Sequence, residues 1–368
     1  MRLRHACLSL AGTALLAAMD TAHAEIARED VRVAGEPGIE LFVREVRDTD
    51  TGRNGAPMIL LHGARVPGIA SFDLPVPGGS LAEDLARAGH RVFIMDARGY
   101  GGSTRPAAML GAPEGQPLVG SHEVVRDLDA VVNWVQARTG RHQVALLGWA
   151  TGGHWAGMYA SLHPGKVSHL VVYNGLYGAH RGHASLGPGS EAEDAGNPGR
   201  FNARRFGTYR FNTAASLMPA WDRAIPVEDK SQWRDPRIAE AYRQEALRSD
   251  PTSAERNPPA FRAPSGALED SFYLTSGRQL WDAASVTARV LIVRSEKDFW
   301  SRPEDVTELA QHLVRAAAVE TVTIPGATHH VHLDRPERGR DRFLSTVEAF
   351  LGGGAVAASR REGGVPAD

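Results

Sequence analysis

Cysteine is almost absent from this 368-residue chain: Cys7 is the single one. A lone cysteine permits no internal disulfide and no cysteine-rich metal cluster. An excess of one charge is lacking too. Lys plus Arg number 41 against 43 Asp plus Glu, a formal net charge of −2, so no basic surplus exists to hold a nucleic-acid backbone or an anionic membrane surface. Past the N-terminal region no run approaches the ~20 apolar residues that cross a bilayer. What is present is ordinary, with 42% hydrophobic and 23% charged residues. That composition excludes disordered, collagen-like and coiled-coil chains and supplies a large core, at a length that allows roughly two average domains.

The N-terminus accounts for the cysteine. Arg2 and Arg4 precede a mostly apolar run from Ala6 to Met19, and Ala22-His23-Ala24 puts small residues at the two positions a signal peptidase reads. This pattern predicts a secretory signal over residues 1–24, cleaved after Ala24, and a periplasmic or secreted protein. Arg4-His5-Ala6 is a poor lead-in for a lipid anchor on Cys7. The exported chain then has no thiol, and its stability rests on packing.

Short apolar runs then alternate with helical periodicities, the mark of a mostly parallel sheet flanked by helices. Val31–Val33 and Ile39–Val46 read as an opening hairpin. Strands are expected at Pro57–Leu61, Arg91–Met95, Gln143–Gly148, Val167–Tyr173, Val290–Val293 and Glu320–Ile324. Helices are expected at Leu81–Ala88, Glu123–Thr139, Thr151–Leu162, Pro303–Ala316 and Arg338–Leu351. The alternation breaks over 178–272, rich in Gly, Pro and Arg with helical stretches near Ala214–Met218 and Arg237–Leu247, which reads as an insertion. Residues 25–177 and 273–352 would form the core, and 353–368 a flexible tail.

Four segments fall where strands run into loops, the ligand-binding edge of a parallel sheet. They are Leu60-Leu61-His62-Gly63-Ala64, Asp96 to Ser103, Gly148-Trp149-Ala150-Thr151-Gly152-Gly153, and the pair Asp298 with Gly326-Ala327-Thr328-His329. Asp96 and Arg98 are read as braces of their loop. Gly99, Gly101 and Gly102 are followed by no Gly-Lys-Ser/Thr, so a nucleotide site is not expected. In His329-His330-Val331-His332, adjacent histidines on an extended segment face opposite ways, and no carboxylate motif supports a metal; none is expected.

In these segments the chain resembles the α/β-hydrolase superfamily, in the cap-bearing branch of esterases, lactonases, haloperoxidases and proline-iminopeptidase-like enzymes. The resemblance covers about residues 30–352. It implies an α/β-hydrolase fold with a mostly parallel eight-stranded sheet and an inserted, mainly helical cap. It also implies hydrolysis of an ester, lactone or amide without a cofactor, on a small-molecule substrate, with no nucleic-acid partner. No feature specifies an oligomeric state. The family elbow G-x-S-x-G reads Gly148-Trp149-Ala150-Thr151-Gly152, with Ala150 at the nucleophile position. By resemblance His329 is the general base, Asp298 its carboxylate with Glu296 as fallback, and the N–H groups of Ala64 and Thr151 the oxyanion hole. The Thr151 side chain is expected to cap its helix and point away from His329. Arg65 would clamp a substrate carboxylate or form a solvent-facing salt bridge; Trp149, Trp155 and Trp300 would line or support the pocket, or serve as core.

Three readings of Ala150 stay open: a serine replaced by alanine in an ordinary hydrolase, a native alanine beside a water activated by His329, and a pocket that binds without turnover. A cofactor-free, non-hydrolytic enzyme is a variant of the second. For the N-terminus, intact-mass analysis of chain exported to a bacterial periplasm is expected to give a polypeptide starting at Glu25; retention of residues 1–24 overturns the signal.

Overall fold

The computed structural model describes residues 25–50, 56–183 and 185–353. The expected signal over 1–24 and all of the expected tail except Gly353 lie outside the described residues. The strands are β1 (Ile26–Ala34), β2 (Glu40–Asp48), β3 (Met58–Leu61), β4 (Val92–Met95), β5 (Val144–Trp149), β6 (Val167–Tyr173), β7 (Tyr209–Thr213), β8 (Ala260–Pro264), β9 (Arg289–Lys297) and β10 (Ala318–Thr328). Eight of them form one sheet in the order β1-β2-β4-β3-β5-β6-β9-β10. The β1/β2 and β2/β4 pairs are antiparallel and the rest parallel.

The central strands are buried on both faces, as their unbroken apolar sequences require. Side-chain alternation divides them between two cores. Phe93 and Met95 of β4, with Leu146 of β5, pack with Val125, Leu128, Val132 and Val135 of the Ser121–Thr139 helix. Val92, Ile94 and Leu147 pack on the other side with Leu81 and Leu85, and with Phe343, Val347 and Phe350 of the Arg340–Leu351 helix.

Several boundaries differ from expectation for local reasons. The Ser121–Thr139 helix starts two residues early because the Glu123 carboxylate accepts from the Gly120 N–H at 3.0 Å. The Pro303–His312 helix stops before Ala316, and the Ala317 N–H is taken up by the Thr287 and Ala288 carbonyls as the chain turns into β10. β1 is longer because it pairs with β2 along its whole length. β10 continues through a register shift between Ile324 and Thr328, so His329 follows the strand directly.

Between β6 and β9 the chain leaves the sheet. The helices Met218–Ala224, Pro236–Arg248 and Gly266–Thr275 are joined there by an antiparallel pair, β7/β8, that was not anticipated. Its sequences, Tyr-Arg-Phe-Asn-Thr and Ala-Phe-Arg-Ala-Pro, carry arginine and proline and do not read as strands. The boundary expected at 272 falls inside the Gly266–Thr275 helix. Leu217, Trp221, Ile225, Trp233, Ile238 and Tyr242 of this excursion pack against Val66, Ala70, Leu74 and Leu333, which seats it over the carboxyl edge of the sheet. Among the described residues no helix is long and apolar enough to cross a membrane.

Two loops at that edge are braced by buried charge. Asp96 accepts from the Gly68 and Gly102 N–H groups at 2.7 and 2.8 Å. Arg98 donates from Nε and Nη2 to Asp127, both side chains being buried. Removing Asp127 takes away the buried partner of Arg98 and leaves it only the more exposed carboxylates of Glu36 and Glu123, at 2.7 and 4.0 Å. Asp127→Ala is therefore expected to lower unfolding stability by about 3 kcal/mol in urea titrations, and a loss below about 1 kcal/mol overturns the brace.

Candidate active site

The site begins at the turn between β5 and the Thr151–Leu162 helix. A Cβ added at Gly148 would lie 2.2 Å from the Gly152 carbonyl oxygen, and one at Gly152 would lie 2.1 Å from the Leu61 carbonyl oxygen. Glycine at both positions lets the helix start press against the ends of β5 and β3. The chain makes the bend at Ala150, whose φ of 53° and ψ of −116° lie outside the regions a residue with a Cβ prefers. Such a conformation costs on the order of 1–3 kcal/mol. It is held by the Ala150 N–H donating to the Tyr173 carbonyl at 3.0 Å and by the Ala150 carbonyl accepting from the Gly153 N–H at 3.0 Å. The loop after β3 runs alongside, close enough that a Cβ on Gly63 would sit 3.6 Å from that of Ala150.

His329 and Asp298 leave the adjacent strands β10 and β9 and meet at 2.6 Å, Nδ1 to Oδ1. Asp298 also accepts from Ser301 Oγ at 2.6 Å and from the N–H groups of Ser301 and Trp300 at 2.8 and 3.1 Å. Burial opposes ionisation of this carboxyl, but the nearby His329 and the hydrogen bonds from His329 and Ser301 outweigh it and hold its pKa below the usual range. A carboxylate on Nδ1 keeps the proton there and leaves Nε2 as the basic nitrogen. Glu296, the fallback, is elsewhere: it accepts from the Gly326 N–H at 2.6 Å.

The backbone of His329 is fixed as firmly as its ring. Its carbonyl accepts from Trp149 Nε1 at 3.0 Å and from Asn174 Nδ2 at 3.1 Å. Asn174, which also exchanges hydrogen bonds with Ser295, sits at φ 52° just past β6. Nothing in the sequence around it signals this role. Phe299, whose ring lies 4.7 Å from that of His329, was likewise missed.

Ala150 and His329 open on a cavity of about 140 Å³ lined also by Gly63, Ala64, Arg65, Trp149, Thr151, Phe299, Trp300 and His330, with Leu217, Ala220 and Tyr242 contributed by the β6–β9 excursion. All eight sequence-derived positions are thus brought together: seven line the cavity, and Asp298 stands behind His329. The backbone N–H groups of Ala64 and Thr151 donate to no acceptor among the described residues. Two expectations need correction, the Thr151 cap and the salt-bridge alternative for Arg65. The Thr151 hydroxyl does not cap its helix: Oγ1 is buried without a partner in a cavity-lining residue, because the turn ahead of it already sets the helix start. Arg65 is half-buried and pairs with no carboxylate among the described residues; it donates from Nε to Asn212 Oδ1 and from Nη2 to Ser216 Oγ, each at 2.8 Å. Trp155 is core, edge-on to His62 and Tyr100. His330 stacks on Trp221 with centroids 4.4 Å apart, and among the described residues no His, Cys, Asp or Glu cluster is arranged to hold a metal ion.

A strand-turn-helix elbow at the carboxyl edge of such a sheet, faced by an acid and a histidine from later strands, defines the α/β-hydrolase class. The family model for the alpha/beta hydrolase fold matches residues 56–336, and the chain belongs to that family. Its fold is similar to an esterase from Thermogutta terrifontis (19% identity, TM-score 0.54, covering 88% of this chain and 98% of the other). It is also similar to a meta-cleavage product hydrolase from Pseudomonas fluorescens (17%, 0.56, 88% and 97%). A third similar structure is a hypothetical protein from Pseudomonas aeruginosa (25%, 0.54, 88% and 99%). No curated protein matches the sequence.

The elbow supplies a stability test. Gly152→Ala drives a methyl group into the Leu61 backbone, which cannot move without parting β3 from its neighbours. A loss of about 3 kcal/mol or outright misfolding is expected from urea denaturation and circular dichroism, whereas a change within about 0.5 kcal/mol would show the approach is looser than described.

Proposed function

We propose that this protein hydrolyses a small ester, lactone or amide, with a water molecule held by His329 in the role that a serine has in the usual triad. The observation that carries this reading is the complete Asp298–His329 pair, bonded at 2.6 Å and opening on a cavity beside Ala150. Ala150 contributes a methyl group, so no acyl-enzyme forms at this position. His329 Nε2 takes a proton from the water as its oxygen bonds to the substrate carbonyl carbon. The tetrahedral intermediate places its oxyanion on the Ala64 and Thr151 N–H groups. It then collapses with cleavage of the bond to the leaving group, which receives the proton from His329. The products are a carboxylic acid and an alcohol or amine. Binding and an oxyanion hole without a complete triad leave roughly 10³–10⁴-fold acceleration over water, so turnover is slow.

A second reading, a binding protein without turnover, is favoured by one observation, the methyl group at position 150. One set of assays on aryl esters, lactones and N-terminal-proline amides separates the two. The unaltered chain is expected to turn over one of these classes slowly and His329→Ala to abolish it. Ala150→Ser is expected to raise kcat by at least about 10³-fold in a His329-dependent way. Activity that survives His329→Ala overturns the water mechanism, and tight binding without turnover in either form establishes the second reading in its place.

A further inference from the structure

The cavity holds positive charge that the protein does not neutralise. The three buried arginines meet carboxylates, Arg98 with Asp127, Arg262 with Asp250 and Arg340 with Asp84, whereas Arg65 and Arg210 are half-buried. Arg65, which lines the cavity, bonds only to the neutral Asn212 and Ser216 side chains, and its Nη1 has no partner among the described residues. Arg210 stands behind it. Its Nη2 reaches the Ala64 carbonyl at 3.5 Å, while its Nε is buried without a partner. Neither arginine forms an ion pair with a described residue. Burial lowers the pKa of both, that of Arg210 to about 10 with the charge of Arg65 adding to the effect; a guanidinium keeps its proton at neutral pH. A charge drawn partly out of water without a counter-charge is costly, and two of the same sign, half-buried beside one cavity, make a strong field for an anion.

Other buried polar atoms in the lining are also unpartnered: Thr151 Oγ1, Trp300 Nε1 and His330 Nδ1. At about 140 Å³ the space is close to that of an engineered cavity of ~150 Å³ that accepts benzene, so the acyl group it takes is a short one.

We infer that the substrate carries a second, free carboxylate, as in a half ester or half amide of a short dicarboxylic acid, and that this carboxylate pairs with Arg65, with Arg210 adding to the field behind it. The inference rests on the cavity being the substrate site proposed above. In the hydrolytic step the bond to the leaving alcohol or amine is the one that breaks, and the second carboxylate is unchanged.

The test measures binding, which does not need turnover. Monomethyl glutarate and dimethyl glutarate share a skeleton and differ in one negative charge. Calorimetric titration of the unaltered chain is expected to show monomethyl glutarate binding at least 10-fold tighter. Arg65→Met is expected to erase the difference, Arg65→Lys to keep part of it, and Arg210→Met to reduce it. Circular dichroism melting of each variant confirms folding, and Arg65→Lys and Arg210→Met carry the test if Arg65→Met does not fold. Equal affinity for the two ligands, binding of neither, or a preference that survives Arg65→Met overturns the inference. A charge preference without turnover in any form leaves this inference standing and removes the hydrolytic reading. Turnover of neutral esters without charge preference does the reverse.

Discussion

Gly152 lies so close to the Leu61 carbonyl that no side chain can intervene, and the geometry at the carboxyl edge of the sheet follows from that contact. Because the helix start is pressed against β3 and β5, the bend between strand and helix is confined to one residue, Ala150, in a conformation that its own side chain disfavours. The same bend places Thr151 in the cavity wall and lies beside the Gly63-Ala64 loop. A looser junction would let the turn spread over several residues and scatter these groups. The strain at Ala150 is sustained by backbone hydrogen bonds to its neighbours, so the elbow keeps its shape with a methyl group in place of a hydroxyl.

The acid and the base depend on a second set of constraints. Asp298 and His329 end neighbouring parallel strands, so their separation is set by the β9/β10 register. That register slips after Ile324, and the slip brings His329 to the strand end opposite its carboxylate. Trp149 and Asn174 then hold the His329 carbonyl from β5 and β6. Four strands of the sheet thereby converge on one histidine, its ring held by Asp298 and its carbonyl by Trp149 and Asn174.

Much of this was legible in the sequence because it is written in local chemistry. Apolar runs of four to six residues between helical periodicities mark strands buried on both faces, and glycine spacing around Trp149-Ala150-Thr151 marks a turn that must be tight. The pairing of β7 with β8 was not legible, since their side chains answer to partners about fifty residues away in sequence and not to a solvent face and a core face. Asn174 was missed for a related reason: an asparagine after a strand looks like any turn residue until the carbonyl it holds, 155 positions later, is in place. Arg65 illustrates the opposite limit. Its position beside the pocket could be read, but whether it had a carboxylate partner depended on Asn212 and Ser216, which belong to the segment whose folding the sequence least defines.

Those two partners also give Arg65 a mechanical character. Its guanidinium is rooted in the loop after β3 and grips the excursion between β6 and β9 at two points, so it is a tether between the sheet and the roof of the cavity. A tether that is itself charged couples electrostatics to motion. Any group that draws on its hydrogen bonds also alters how tightly the roof is fastened, and filling the chamber and latching it become one equilibrium.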